Sequence, residues 1–86
     1  MPEISRFLGI IIAMFHNDHN PPHFHVRYGN YKAMVSIETL TILEGELPSR
    51  VRGLVVEWAS LHQDELKEDW EFAKQKKELK YIEPLV

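Results

Sequence analysis

The dipeptide Gly29-Asn30 separates two runs of alternating residues, His23–Tyr28 and Tyr31–Glu38, and it constrains the fold more than any other feature of the chain. Such a pair suits a two-residue β-hairpin loop, whose twist matches that of the strands it joins. With that turn in place the register follows. Tyr28 faces Tyr31, Val26 faces Ala33 and Phe24 faces Val35, making one apolar face that continues to Ile37. The opposite face carries His23, His25 and Arg27, across from Ser36, Met34 and Lys32. A slip of one residue would exchange the two faces, so the turn decides which side chains are core and which are free for chemistry.

The rest of the chain is read around this hairpin. Leu8–Phe15 is a β-branched, apolar run and reads as a buried strand. Asn17–Pro22 is dense in turn formers, and two prolines cannot continue a strand ladder. Thr39–Leu47 reads as a short fourth strand or an extended connection, broken at Gly45. Leu47-Pro48-Ser49 marks a helix start, with proline in the first turn and serine as a cap. Val51, Leu54, Val55 and Trp58 form a helical apolar stripe that runs on through Leu66, Trp70 and Ala73, bent or restarted near His62–Asp64. Acids lead this second stretch and lysines close it, as the helix dipole favours. Leu79–Val86 reads as an extended segment that can serve as an edge strand closing the sheet, with Pro84 ending it.

The expected fold is α+β. A small antiparallel sheet of three to four strands, built from N-terminal hairpins, packs against one long or two consecutive C-terminal helices and is followed by an extended C-terminal segment. At 86 residues the chain is expected to be a single domain, 1–86, with a thin core.

Charge and composition exclude some activities. The net charge of −3 argues against broad phosphate binding as the main activity. The balance is uneven, since residues 1–37 hold the bases Arg6, Arg27 and Lys32, only two acids, and four of the five histidines. Any contact with nucleic acid is therefore expected to be local and through the first half. The absence of cysteine removes disulfides and thiolate metal sites and suits a reducing compartment. The apolar run Phe7–Phe15 is too short for a membrane span and lacks the flanks of a signal peptide. The expected location is cytoplasmic, with no membrane contact.

Chemistry concentrates in His16-Asn-Asp-His19-Asn-Pro-Pro-His23-Phe-His25-Val-Arg27-Tyr28. Separated by one residue on a strand, His23 and His25 project from the same face, with His19 in the preceding loop and His16 at the end of the first strand. Imidazoles in this pattern can hold a divalent transition metal such as zinc, through His19, His23 and His25. Asp18, Glu38 and Glu57 are the carboxylates able to join them. With a pKa of about 6.5, imidazole also serves as a general acid or base, and Arg27 beside it can hold an anion. On that reading His19, His23, His25 and Arg27 are catalytic. The competing structural account makes them polar residues on a solvated sheet face above a turn. His62 is either the margin of an amphipathic helix or a reach into the same cleft. Trp58 and Trp70 read as core, and Arg50 and Arg52 at a helix start as a phosphate or partner contact, or as ordinary surface charge.

Several segments together carry a resemblance: the opening Met-Pro-Glu-Ile-Ser-Arg-Phe, then Asp18-His-Asn-Pro-Pro-His-Phe-His25, Tyr28-Gly29, Ser36-Ile-Glu, Gly45-Glu-Leu-Pro48 and Glu57-Trp-Ala-x-x-His62. In these the chain resembles the bacterial family known as domain of unknown function 4160, over nearly its whole length. The resemblance implies a small bacterial cytoplasmic protein whose partner is a small protein encoded by a neighbouring gene, in an arrangement like a toxin–antitoxin pair. It supplies no catalytic residues. Three functions follow as expectations. One is a member of a two-gene toxin–antitoxin-like module acting on RNA through the His/Arg surface. Another is a non-catalytic metal-binding or sensory module. The third is a transcriptional regulator or interaction partner without catalysis.

Overall fold

A computed structural model describes residues 2–86. Five strands run β1 (Glu3–Phe7), β2 (Ile10–Ala13), β3 (His23–Tyr28), β4 (Tyr31–Ser36) and β5 (Ile42–Gly45), followed by α1 (Ser49–Leu61) and α2 (Gln63–Lys74). Each strand pairs antiparallel with the next, in the order β1-β2-β3-β4-β5. The fold is α+β as expected, with one strand more than the three to four anticipated. The extra strand comes from the turn at Leu8-Gly9. Both residues have positive φ, 51° and 79°, as a two-residue hairpin loop between twisted strands demands. A leucine in that conformation hides the turn inside an apolar run.

The central hairpin has the register that Gly29-Asn30 dictates. Tyr28 faces Tyr31, Val26 faces Ala33, Phe24 faces Val35, and on the other side His23, His25 and Arg27 face Ser36, Met34 and Lys32. Gly29 takes a φ of 56° at the first turn position, where glycine avoids the steric cost of a side chain.

Both helices press an i, i+4, i+7 stripe onto this sheet: Val51, Val55 and Trp58 from α1, then Leu66, Trp70 and Ala73 from α2. Trp58 lies between Phe7 and Phe24, with ring centroids 5.7 and 5.9 Å away. Burial of a large apolar side chain contributes roughly 1.5–3 kcal/mol, so this trio anchors the thin core. The helices are consecutive, as the pattern allowed, and separate at His62 (φ −125°, ψ 24°). There the Gln63 side chain donates to the carbonyls of Ile37 and Glu38, at 2.7 and 3.1 Å, tying the start of α2 to the exit of β4. The start of α1 differs from expectation. Pro48 itself is the N-cap and Ser49 the first helical residue, so no serine side chain caps the helix.

The C-terminal segment does not form the edge strand expected of it: among the described residues no strand follows α2, and the segment meets β1 through the Ile82 amide, which donates to the Ile4 carbonyl at 2.7 Å. Among the described residues no helix is long and apolar enough to cross a membrane.

Candidate metal centre

Proline at positions 21 and 22 ends the loop and starts β3 at His23, so His23 and His25 lie on the face away from Phe24 and Val26. Exposure along that face is graded. His23 is 3% exposed, His25 is half-buried and Arg27 is exposed. The burial of His23 corrects the picture of an open polar face. The Trp70 ring from α2 stands 5.3 Å from it, and the loop before β3 closes the other side. His25 is held edge-on by Phe15 at 4.6 Å, and the two imidazoles meet edge to face at 5.1 Å.

The loop returns Asp18 to the two rings. Its Oδ2 lies 2.8 Å from His25 Nε2 and 3.3 Å from His23 Nε2. These three ligand atoms all lie within 4.8 Å of one another. The tautomer of His23 follows from its other nitrogen. Nδ1 is 2.8 Å from the Pro21 carbonyl, which can only accept, so Nδ1 carries the hydrogen. In the neutral ring Nε2 is then a bare lone pair. It is buried without a hydrogen-bond partner and faces a carboxylate. Two lone-pair donors aimed at one another repel unless a cation lies between them. A backbone carbonyl fixing the far nitrogen of an imidazole is also the usual support for a metal-ligating histidine.

Two of the three spacings approach those that a shared ion sets. Bonds of about 2.0–2.1 Å around a tetrahedral ion set the ligands about 3.3–3.4 Å apart. The contact between His23 and Asp18 already has that length, and the one between His25 and Asp18 needs to widen by about half an ångström.

The remaining sequence candidates lie elsewhere. His19 is exposed and outside the cluster, where Asp18 takes the place expected for it. His16 donates from Nε2 to the Lys77 carbonyl at 2.9 Å, pinning the chain beyond α2. His62 packs on Trp58 at 5.6 Å and bonds Glu65 through Nδ1 at 2.6 Å, a structural position at the junction of α1 and α2. Tyr28 is half-buried, with its ring alongside Gly9 at a distance where a Cβ would make ordinary contact. Glu38 and Glu57 are exposed and take no part.

Beyond His25 the open sheet face forms a cleft of about 330 Å³, with Ile11, Phe15 and Met34 in its lining and Arg27, Lys32 and Glu44 as its charged groups. Lys32 and Glu44 were not singled out from sequence as site residues. The signal for Lys32 was present, because the hairpin register places it directly across from Arg27.

The family model described as Domain of unknown function (DUF4160) matches residues 9–71 of the 86, well over half of the chain and including the whole cluster. Neither the curated proteins nor the solved structures give a significant match.

Proposed function

The chain belongs to the DUF4160 family, a domain of unknown function, and on that premise we propose that it is a divalent-metal-binding module whose ligands are Asp18 Oδ2, His23 Nε2 and His25 Nε2. One observation carries the reading. His23 has committed Nδ1 to the Pro21 carbonyl and holds a buried, unpartnered Nε2 against Asp18. Two imidazoles and one carboxylate favour zinc among the abundant divalent ions, with nickel, copper and iron(II) compatible with the same donors. Three protein ligands leave a fourth tetrahedral position for water or a ligand, which a bound metal would polarise.

Acid–base cleavage of RNA by His19, His23, His25 and Arg27 fits less well. That chemistry needs two imidazoles within reach of a phosphodiester. His23 is 3% exposed beneath Trp70, and His19 stands apart from the other two. A neighbouring-gene partner and a toxin–antitoxin-like setting are what the family resemblance implies, and both are compatible with a metal-binding module.

Metal analysis of protein prepared without a histidine tag tests the proposal. Zinc is expected at one ion per chain, and both His23→Ala and Asp18→Asn should weaken it at least 100-fold. Zinc at 100 times its Kd should stabilise the wild type by about 2.7 kcal/mol, raising Tm by roughly 10 °C or more. A second proton on His23 would answer the same lone pair by making an imidazolium–carboxylate pair. That account predicts no stoichiometric metal and a Tm indifferent to zinc, and either result would sink the metal reading.

A further inference from the structure

The register that sets up the metal centre also creates an electrostatic oddity next to it. Arg27 and Lys32 are directly opposed across β3 and β4. Like charges in that position are destabilising. Arg6 pairs with Glu3 at 2.7 Å, Lys74 with Glu71 at 3.3 Å and Lys80 with Glu68 at 3.5 Å, while Arg50, Arg52, Lys67, Lys76 and Lys77 stand without an ion pair among the described residues. What sets Arg27 and Lys32 apart is that they face each other on neighbouring strands at the edge of a cleft. Among the described residues, neither Arg27 nor Lys32 pairs with a carboxylate, although the chain carries a net charge of −3. Two adjacent unpaired cations on an acidic protein are matched to a doubly charged anion better than to a single carboxylate.

The surroundings specify the rest of that anion. The cations border the cleft whose volume of about 330 Å³ lies at the small end of ligand pockets, roughly 300–1,000 Å³. Ile11, Phe15 and Met34 supply its apolar lining, against which the apolar faces of a planar body can pack. Glu44, opposite Met34 on β5, supplies an acceptor for N–H groups on the body's far side. His25 lies two residues from Arg27, roughly 7 Å along the strand. This spacing keeps the metal centre clear of an anion held by Arg27 and Lys32.

We infer that the cleft binds a phosphomonoester carried on a planar heterocyclic body, with the phosphate between Arg27 and Lys32 and the heterocycle packed on the Ile11/Met34 lining against Glu44. A phosphomonoester is close to dianionic at neutral pH and offers three acceptor oxygens, which a guanidinium and an ammonium together satisfy. The site adjoins the proposed metal centre through His25 and does not depend on it.

Titration calorimetry of the full chain with adenosine 5′-monophosphate, adenosine and inorganic phosphate reads the inference directly, with zinc stoichiometry measured on the same preparations. The monophosphate should bind, while adenosine and phosphate should each bind at least tenfold more weakly. Arg27→Gln and Lys32→Gln should each weaken the monophosphate at least tenfold, with a thermal transition no lower than the wild type's, since each relieves the like-charge pair, and with unchanged zinc binding. Equal affinity for adenosine and its monophosphate, or unchanged affinity in both variants, would overturn it. So would binding of a single-stranded oligoribonucleotide by a chain that ignores the mononucleotide. Because the His23→Ala variant should still bind the monophosphate, loss of the metal reading and loss of this one are read separately.

Discussion

Asp69 illustrates how a single residue of this chain carries a cost. It lies on α2 at 1% exposure, accepts the Lys80 amide on Oδ1 at 2.8 Å and leaves Oδ2 without a partner. Desolvation raises its pKa above the ordinary carboxylate value, against the pull of the Lys80 amide, and Glu68 and Glu65 push the same way. A folded-state pKa above the unfolded one means that the native protein binds the proton more tightly. Stability is then highest below the unfolded value, about 3.9, and falls as pH rises through the folded one. Asp69→Asn keeps an oxygen for the Lys80 amide and removes the charge. Its Tm should exceed that of the wild type at pH 7, with the difference closing as pH falls towards 4. A variant less stable at pH 7 whose deficit shrinks on acidification would show the carboxylate to be stabilising. At this scale the sequence was informative in part. That His23, His25 and Arg27 share a side follows from period-two geometry. That Asp18 and not His19 meets the imidazoles depends on how a six-residue stretch rich in asparagine and proline, 17–22, turns in space, which no periodicity encodes.

At the scale of elements, the same turn chemistry that made one hairpin legible concealed another. Gly29-Asn30 announces a loop, whereas Leu8-Gly9 does the same work with an apolar residue, so the turn read as the start of the Leu8–Phe15 strand and β1 before it went unread. The burial of His23 was hidden for a different reason. Trp70, which covers it, lies on α2, and no local pattern links the two positions. Gly45 was legible as a break, and the structure adds why it must be glycine. It lies in β5 opposite Ala33 with φ of 82°, and a Cβ there would meet the Lys32 carbonyl oxygen and the Ala33 Cα, backbone atoms that cannot swing aside. Gly45→Ala is therefore expected to cost about 2 kcal/mol or more, combining left-handed strain with displacement of β5. Urea unfolding checks it, and a loss below about 0.5 kcal/mol would mean that β5 shifts freely. Since Gly45 also lines the cleft, the variant should weaken adenosine 5′-monophosphate without changing zinc stoichiometry.

For the whole molecule, the segment after α2 is what joins the two layers. Its Ile82 side chain is 1% exposed in the same core as Ile4, Trp58 and Trp70. Its backbone reaches in three directions: Ile82 to the Ile4 carbonyl in β1, the Glu83 carbonyl to Trp58 Nε1 in α1 at 2.9 Å, and Lys80 to Asp69 in α2. An edge strand, both helices and the central tryptophan therefore share one short extended stretch. Two helices joined by a one-residue break can slide over a five-stranded sheet unless something fixes their position, and this segment crosses all three. Truncating Ile82 to alanine removes buried methyl groups where the surroundings are tied by hydrogen bonds and collapse poorly, so the loss should be about 2–4 kcal/mol. Domains of this size hold on the order of 5–15 kcal/mol, and a thin core puts this one towards the lower figure. Ile82→Ala should thus lower Tm by roughly 10 °C or more while unfolding stays a single transition. Were the segment a mere appendage, the variant would melt within a degree or two of the wild type. Were it a clasp for the helices alone, unfolding would split into two steps with the sheet surviving the first. A single, strongly lowered transition is the outcome that the shared contacts require, and, on the proposed metal reading, zinc added to the same variant should recover part of the loss, because Asp18, His23 and His25 lie on the loop and β3 and are covered by Trp70 of α2.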